Sequence, residues 1–81
     1  EHDIQVNALA PGFVATALNS HLWENEEFNT WILDRTPAHR VGTPEDMVGT
    51  ALFLAAPASD FVTGQVIYVD GGIMAGSVWP L

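Results

Sequence analysis

NALAPGFVAT, residues 7–16, is the stretch that decides the fold of this 81-residue chain. The residues from Ile4 to Leu9 alternate as in a β-strand, and Pro11 is expected to end that strand because proline has no N–H to donate to a ladder. Gly12 permits a turn or the close approach of another group. Because ligands of open α/β sheets bind outside the carboxyl ends of strands, the stretch predicts one wall of a ligand pocket.

The residues that follow Gly12 carry the binding groups of this wall. The main-chain N–H and C=O around Val14 are able to bind an amide in both directions, and the Thr16 hydroxyl can donate or accept a hydrogen bond. Thr16 is also a candidate N-cap for the helix that follows it. The alternative is a plain strand-to-helix turn in which Thr16 is an ordinary cap, and spacing alone leaves both interpretations open.

Residues 16–34 have a broken helical pattern. Apolar residues recur at helical spacing in two pieces, and Asn25 is placed to cap the second piece. Thr36 precedes a proline and therefore avoids the α region, which is expected to end the helix. Trp23 and Trp31 are candidates for lining a substrate site from this segment. The alternative is that both pack the segment onto the body of the protein.

A second helix is predicted between Pro44 and Pro57. Thr43 is its N-cap candidate, Pro44 occupies the first helical position, where its missing N–H costs nothing, and Asp46 is placed to complete a capping box. An apolar stripe follows. Gly49 within it costs ~1 kcal/mol relative to alanine, and close packing against another helix or strand is expected to offset that cost.

Residues 65–69, QVIYV, are apolar on both faces, which is typical of a strand covered on both sides in a parallel sheet. Residues 70–72, DGG, are expected to be the turn that ends it. The order strand, broken helix, helix, strand predicts a right-handed parallel crossover. Two parallel strands cannot cover their own faces, so we interpret the chain as a piece of a larger α/β enzyme, most of whose sheet lies outside these residues.

The composition excludes several classes of function. The formal net charge is −8 and Arg35 and Arg40 are the only Lys or Arg residues, so the basic surface that nucleic-acid binding requires is missing. No apolar run reaches the ~18 residues of a membrane helix, and a cytoplasmic location is expected. The absence of cysteine excludes thiolate metal sites. His2, His21 and His39 are scattered, and no metal site is expected from them.

Four blocks of sequence resemble the short-chain dehydrogenase/reductase family. They are VNALAPG at residues 6–12 with Thr16 four residues later, RVGTPED at 40–46, ASDFVTG at 58–64 and VDGG at 69–72. They follow one another in the family's order and spacing over nearly the whole chain. Within the family, the residues around Trp31, Arg35 and Arg40 look most like those of gluconate 5-dehydrogenases.

The resemblance implies that residues 1–81 are the C-terminal segment of a doubly wound, Rossmann-type parallel sheet whose last two strands are Ile4–Ala8 and Gln65–Val69. It further implies that the segment from Ala17 to about Asp34 is a mobile flap over the substrate. The helix from Pro44 and the last strand are implied sites of subunit association, commonly in a homotetramer. The implied cofactor is NADP(H) or NAD(H), and its nicotinamide contacts are Pro11, Gly12, Phe13, the backbone of Val14, and Thr16. The implied substrate contacts are Leu18, Trp23 and Trp31.

The family's catalytic Ser and Tyr-x-x-x-Lys pair have no match in this segment, and no catalytic residue is predicted here. Tyr68 lies in a strand pattern and is interpreted as a packing or interface residue. For the whole enzyme the resemblance implies interconversion of an alcohol and a ketone, with gluconate and 5-ketogluconate as the expected pair and a 3-oxoacyl thioester as the alternative substrate. The alternative function is a non-catalytic fragment, or degenerate relic, that assembles with a partner.

Overall fold

The structure is a computed structural model and describes residues 3–76. Its regular elements, in chain order, are strand β1 (Ala8–Pro11), a 3₁₀ turn (Ala17–Asn19), helix α1 (Ser20–Trp23), helix α2 (Glu26–Arg35), a 3₁₀ turn (Pro44–Met47), helix α3 (Val48–Ala55), a 3₁₀ turn (Pro57–Ser59) and strand β2 (Val66–Val69). Within residues 3–76 no helix is both long and apolar enough to cross a membrane. His2, whose metal binding was considered above, lies outside the described residues.

The two strands form a parallel pair, with Ala8 opposite Val66 and Pro11 opposite Val69. All of the helices lie in the connection between the strands, which confirms the predicted α/β crossover. The prediction of a strand at residues 65–69 is confirmed, since β2 begins only one residue later. Because the strands are parallel, the carboxyl ends of both lie at the same edge of the sheet.

The predicted position of the first strand, Ile4–Ala8, is wrong, because β1 begins at Ala8 and continues through Pro11. Before Ala8 a side chain takes the place of the ladder, since Asn7 Oδ1 accepts from the Gln65 N–H at 3.0 Å. Pro11 fits inside the strand because the Ala8 N–H donates to the Gln65 carbonyl at 2.8 Å and the Gly12 N–H to the Val69 carbonyl at 3.1 Å. The N–H that Pro11 lacks would therefore point away from β2.

The helical prediction for residues 16–34 is confirmed as two short helices with a break. Asn25 caps α2, and its Oδ1 accepts from the Phe28 N–H at 3.0 Å. The helix ends before Thr36, as expected, and the Thr36 hydroxyl donates back to the Ile32 carbonyl at 2.8 Å. Ile32 is fully buried, so α2 is anchored by one apolar side chain in its last turns.

The second predicted helix is also confirmed, with a tighter first turn than expected. Asp46 Oδ2 accepts from the Thr43 N–H at 2.7 Å, which is the capping interaction predicted for it. The turn from Pro44 is 3₁₀, α3 follows, and Pro57 lies just beyond its end. The expected close packing at Gly49 is not found, since no atom of the described part of the chain comes within 4 Å of the position of an added Cβ.

Residues 3–76 bury little apolar surface. Ile32 is their one buried hydrophobic side chain. Large apolar residues on the helix and strand faces remain exposed, among them Leu52 on α3 and Val66 and Tyr68 on β2. The predicted cover over both faces of the second strand is therefore not supplied by these residues. The apolar residues Trp79 and Leu81 near the C-terminus suggest docking of the tail against another surface, and both lie outside the described residues.

Candidate cofactor-binding wall and substrate flap

The wall is defined as residues 11–16. It begins at the carboxyl end of β1, next to the end of β2. A Cβ built on Gly12 would lie 2.7 Å from the Cβ and 2.8 Å from the Cα of Asp70. Real Cβ atoms do not approach other carbon atoms so closely, so this position admits only glycine without a shift of the backbone. The group that approaches Gly12 in the structure is thus the turn after β2, and the glycine joins the two strand ends.

Val14 is held in an extended conformation by main-chain bonds to Gly42. The Gly42 N–H donates to the Phe13 carbonyl at 2.8 Å, and the Ala15 N–H donates to the Gly42 carbonyl at 2.9 Å. Along an extended chain successive residues direct their amide groups to opposite sides, so the N–H and C=O of Val14 both point away from Gly42. Together they offer the donor and acceptor that a primary amide requires.

The two groups of Val14 differ in their present partners. Within residues 3–76 its N–H donates to no protein acceptor. Its carbonyl accepts one hydrogen bond, from Asn19 Nδ2 at 2.8 Å. A carbonyl oxygen has two lone pairs, so it retains the capacity to accept a second bond.

Asn19 joins the wall to the flap, which we define as residues 17–34. Besides the bond to Val14, its Oδ1 accepts from the Thr16 N–H at 2.7 Å and from Trp23 Nε1 at 3.0 Å. Asn19 was not among the site residues predicted from the sequence. The available signal was its spacing, because a polar side chain three residues after a Thr N-cap completes a capping arrangement even when it is not Glu or Gln.

Thr16 is the N-cap residue of the 3₁₀ turn that opens the flap. Thr16 and Asn19 form a capping box around this turn, in which Asn19 Oδ1 accepts from the Thr16 N–H. The capping interpretation is therefore supported, and because Thr16 is also exposed, capping does not exclude contact with a ligand. Thr16 lies at the end of the wall, two residues after Val14.

Aromatic side chains hold the flap against the wall. The ring of Phe13 meets those of Trp23 and Phe28 edge-on, with centroids 6.3 and 6.4 Å apart. Phe28 in turn stacks on Trp31 at 6.3 Å, and the Arg35 guanidinium lies 4.2 Å from the Trp31 ring centroid. Phe13, which was predicted to contact the cofactor, thus directs its ring to the flap.

The predicted substrate residues lie in different surroundings. Trp23 is half-buried between Phe13 and Phe28 and bonded to Asn19, which favours the packing interpretation for it. Leu18 is 93% exposed and Trp31 is 46% exposed, so both present apolar surface that no other described residue covers. Of the three, Leu18 and Trp31 are accessible to a ligand in this structure.

An ion pair lies in the loop of residues 40–46, which is bonded to the wall through Gly42. Arg40 donates from both terminal nitrogens to the Asp46 carboxylate, at 2.8 and 2.9 Å, and so pairs with Asp46 and not with the neighbouring Glu45. The hydrogen bond from Arg40, followed by that from the Thr43 N–H, lowers the pKa of Asp46 well below its usual range, and the pKa of Arg40 is raised in turn. A cavity of about 130 Å³ lies between this loop, Phe13 and the end of β2.

The turn after β2 is confirmed and also supports the flap. Asp70 caps its own turn, since Oδ1 accepts from the Gly72 N–H at 2.9 Å. The Gly71 carbonyl accepts from the Ala38 N–H at 2.9 Å, and Gly71 has a φ of 67° and Gly72 a φ of 96°, which favour glycine. A Cβ on Gly71 would lie 2.7 Å from Thr36 Cγ2, so the turn lies directly against the residue that follows α2.

The histidines do not form a metal site in the part of the chain that the structure describes, where no group of three His, Cys, Asp or Glu side chains is suitably placed. His39 instead bonds through Nδ1 to the Leu33 carbonyl at 2.9 Å, near the end of α2. A carbonyl only accepts, so Nδ1 carries the proton in this contact. The role of His39 here is to cap a helix end.

Comparison with known proteins places these features in a family. A family model described as enoyl-(acyl carrier protein) reductase, of the short-chain alcohol dehydrogenase type, matches residues 1–74. The chain belongs to the short-chain dehydrogenase/reductase family. This confirms the resemblance stated for the four sequence blocks. The model covers both strands and the wall, the flap and the ion-pair loop between them.

Relatives within the family carry names of sugar-acid enzymes. The chain is 48% identical over 73 residues to 5-keto-D-gluconate 5-reductase of Escherichia coli (strain K12), covering 90% of the chain and 29% of the relative. It is 53% identical over 72 residues to gluconate 5-dehydrogenase of Gluconobacter oxydans, covering 89% of the chain and 28% of that protein. The chain thus spans less than a third of the length of these relatives.

The solved structures of the family confirm the fold class. A crystal structure of gluconate 5-dehydrogenase from Burkholderia cenocepacia, in complex with NADP and tartrate, is 48% identical and superposes with a TM-score of 0.84, covering 90% of this chain and 29% of that one. The 2-keto-3-deoxy-D-gluconate dehydrogenase of Streptococcus agalactiae is 42% identical with a TM-score of 0.84, covering 90% of this chain and 30% of that one. The two strands and their crossover are thus part of a Rossmann-type α/β fold.

Proposed function

We propose that the chain is the C-terminal segment of a nicotinamide-dependent dehydrogenase that interconverts an alcohol and a ketone on a sugar acid. In this proposal the segment supplies the wall that binds the nicotinamide of NADP(H) or NAD(H), together with the flap that covers the substrate. The remainder of the subunit supplies the catalytic groups. The wall and flap contacts are those predicted from the sequence, with Phe13 and Trp23 acting chiefly by packing.

The observation that carries the proposal is the paired N–H and C=O of Val14 at the carboxyl end of a parallel strand. Main-chain bonds to Gly42 on the opposite side fix the direction of both groups. A donor and an acceptor on one extended residue match the carboxamide of a nicotinamide, which has one acceptor oxygen and an NH₂ donor. The exposed Thr16 hydroxyl lies two residues further on, where it can add a third polar contact.

The names of the relatives narrow the substrate class. The proteins named 5-keto-D-gluconate 5-reductase, gluconate 5-dehydrogenase and 2-dehydro-3-deoxy-D-gluconate 5-dehydrogenase all act at carbon 5 of a gluconate skeleton. Their identities to this chain are 48%, 53% and 49%, too close together to favour one of them. We therefore propose oxidation and reduction at carbon 5 of a six-carbon sugar acid, with gluconate and 5-ketogluconate as the first pair to test.

The test is a substrate panel on the purified full-length protein. Oxidation of NADPH and NADH is followed at neutral pH with 5-ketogluconate, with a 3-oxoacyl thioester and with L-tagatose, a neutral ketose. The proposal expects kcat/KM for 5-ketogluconate to exceed both others by at least tenfold. Comparable turnover of the thioester would contradict the proposal of a sugar-acid substrate. The absence of turnover with all three substrates would contradict the proposal that the protein is a dehydrogenase.

The alternative of a non-catalytic fragment rests on the exposed apolar faces of α3 and β2. An intact-mass measurement on the natural protein separates the two functions. A subunit mass several times larger supports the enzyme, whereas a species of 8.7 kDa, the mass of this chain alone, supports the fragment. We also propose that these faces are buried in a homotetramer, which light scattering on the full-length protein tests. The cytoplasmic location stays a prediction.

A further inference from the structure

We infer that Asn19 is a positioning residue for cofactor recognition, because it holds the Val14 carbonyl ready to accept from the nicotinamide carboxamide and ties that carbonyl to the flap. The inference rests on the proposed function, since it takes the Val14 backbone as the carboxamide site. It goes beyond that function because it assigns a role to Asn19, a side chain of the flap: to orient the Val14 carbonyl, which is an acceptor of the wall.

The geometry of the Asn19 amide carries the inference. Nδ2 donates to the Val14 carbonyl at 2.8 Å, while Oδ1 accepts from the Thr16 N–H at 2.7 Å and from Trp23 Nε1 at 3.0 Å. The amide is planar, so two acceptor contacts on one end fix the direction of the donor on the other end. The bonds of Asn19 to Val14 and Trp23 are partly buried, which shields them from competing water, whereas the bond from the Thr16 N–H is exposed.

These bonds determine which polar groups of the wall are bonded to protein and which stay available to a ligand. The Thr16 N–H donates to Asn19, so it is not available to a ligand. The Val14 carbonyl uses one lone pair for Asn19 and keeps one for an incoming N–H. Because one bond is already in place, the carbonyl does not have to be ordered when the cofactor binds, and preorganisation of this kind increases affinity.

Trp23 extends the same network into the flap. Its indole N–H shares Oδ1 of Asn19 with Thr16, and its ring packs against Phe13 and Phe28. Any displacement of α1 therefore strains the amide that orients Val14. The closed position of the flap and the orientation of the cofactor acceptor are coupled through one side chain.

The alternative role for Asn19 is that of a competitor of the cofactor, because its amide resembles the carboxamide that the site is proposed to bind. In that case Asn19 would occupy the acceptor that the cofactor needs and would have to leave. The two roles predict opposite signs. Removing a positioning residue weakens recognition of the carboxamide, whereas removing a competitor strengthens it.

The test compares the natural cofactor with its 3-acetylpyridine analogue, which carries a methyl ketone in place of the carboxamide and has no N–H to donate. Dissociation constants of both, in the oxidised form, are measured by titration on the full-length protein and on Asn19→Asp. The wild type is expected to prefer the carboxamide about three- to tenfold, the value of one hydrogen bond. Asn19→Asp keeps both acceptor contacts but loses the donor, and its preference is expected to fall to within about twofold.

Matched variants separate positioning from charge and folding. Asn29→Asp introduces the same charge on α2 and is expected to keep the wild-type preference. Asn19→Ala removes all three bonds without adding charge, and it is expected to lose the preference as Asn19→Asp does. If the aspartate variant does not fold, the alanine variant decides whether Asn19 is a positioning residue. Trp23→Phe replaces the indole by a smaller aromatic ring without an N–H, and it is expected to raise KM for the sugar acid about two- to fivefold while the carboxamide preference is largely kept.

Each outcome bears on a different statement. If the wild type does not distinguish the two cofactors, the Val14 carboxamide site is wrong, and the proposed function loses the observation that carries it. If the wild type distinguishes them and both Asn19 variants do so equally, the inference is overturned while the proposed function stands. A preference that grows in Asn19→Ala would show that Asn19 competes with the cofactor, which also overturns the inference.

Discussion

The wall and the flap lie side by side but are held by different kinds of contact. Main-chain groups hold the wall: the ladder between β1 and β2, the bonds from Gly42 to Phe13 and Ala15, and the backbone contact of Gly12 with Asp70. Side chains hold the flap, through the aromatic rings of Trp23 and Phe28 against Phe13 and through the Asn19 amide.

This difference matches what each part has to do in the proposed enzyme. A wall that presents backbone N–H and C=O groups must keep them in fixed directions, and main-chain bonding does so whatever side chains surround it. A flap that closes over a substrate must separate from the wall and return, and contacts between ring surfaces can be broken without disrupting a strand. Substitutions should therefore act on stability at the wall and on ligand binding at the exposed flap residues.

The largest expected effect comes from adding one methyl group to the wall. In Gly12→Ala the new Cβ would overlap the Cα and Cβ of Asp70, so strand ends must separate, and we expect a loss of about 2–3 kcal/mol in the free energy of unfolding of the full-length protein. Gly42→Ala is the matched control, because its Cβ would meet the Phe13 carbonyl at 3.3 Å, a contact that a small shift relieves. Denaturant midpoints measure both, and equal losses would contradict the proposed clash.

The same glycine shows how far the sequence predicted the wall. The end of β1 at Pro-Gly and the second strand followed from local pattern and from the family resemblance. The neighbour of Gly12 did not, because Asp70 is distant in the sequence and only the parallel register brings the two strand ends together. The start of β1 was misplaced for a related reason: the Asn7 side chain replaces the ladder, and alternation of residue types cannot reveal such a substitution.

The flap should separate into a buried anchor and an exposed contact surface. Ile32→Ala removes the buried apolar side chain of α2, and we expect it to cost about 2 kcal/mol in the free energy of unfolding. Leu18→Ala makes a similar truncation at a side chain that is 93% exposed and should change that free energy by less than about 0.5 kcal/mol. If Leu18 contacts the substrate, its truncation should instead raise KM for the sugar acid.

Thermal denaturation and steady-state kinetics on both variants check this pair. A large loss of stability in Leu18→Ala would show that the flap is covered in the full-length protein and is not a free surface. Because Ile32 belongs to the flap, deleting residues 17–34 as a whole would remove the anchor together with the contact surface. Point variants are therefore the sharper experiment.

The sequence predicted the ends of the flap better than its interior. The Asn25 cap and the stop before Pro37 are local effects, set by side chains within a few residues, and both are confirmed. The sharing of Asn19 between Val14 and Trp23 depends on the path of the chain through the turn at residues 17–19. Helical spacing alone therefore left the packing and substrate interpretations of Trp23 both open, and the structure favours packing.

The smallest expected effect lies in the loop behind the wall, where Asp46 pairs with Arg40. The pKa of Asp46 is lower in the folded protein than the ordinary value of 3.8, chiefly because Arg40 donates to its carboxylate. A lowered pKa contributes stability that is present above 3.8 and is lost as the pH falls through the folded value. The Arg40 side chain is 60% exposed and that of Asp46 is 29% exposed, so water reaches the pair and solvent screening keeps this contribution small.

Asp46→Asn should accordingly lower Tm slightly at neutral pH, and the difference from the wild type should shrink as the pH is taken below 4. Glu45→Gln is the matched control, because it removes the same charge from the adjacent residue, which does not pair with Arg40, and it should leave Tm nearly unchanged across the same pH range. An Asp46→Asn difference that persists undiminished in acid would mean that the Asp46 side chain acts mainly as a helix cap that accepts from the Thr43 N–H even when it is protonated, a bond that asparagine Oδ1 can replace only in part. In that case the loop would still be held by a side chain, as the flap is, but through a hydrogen bond and not through the charge of the ion pair.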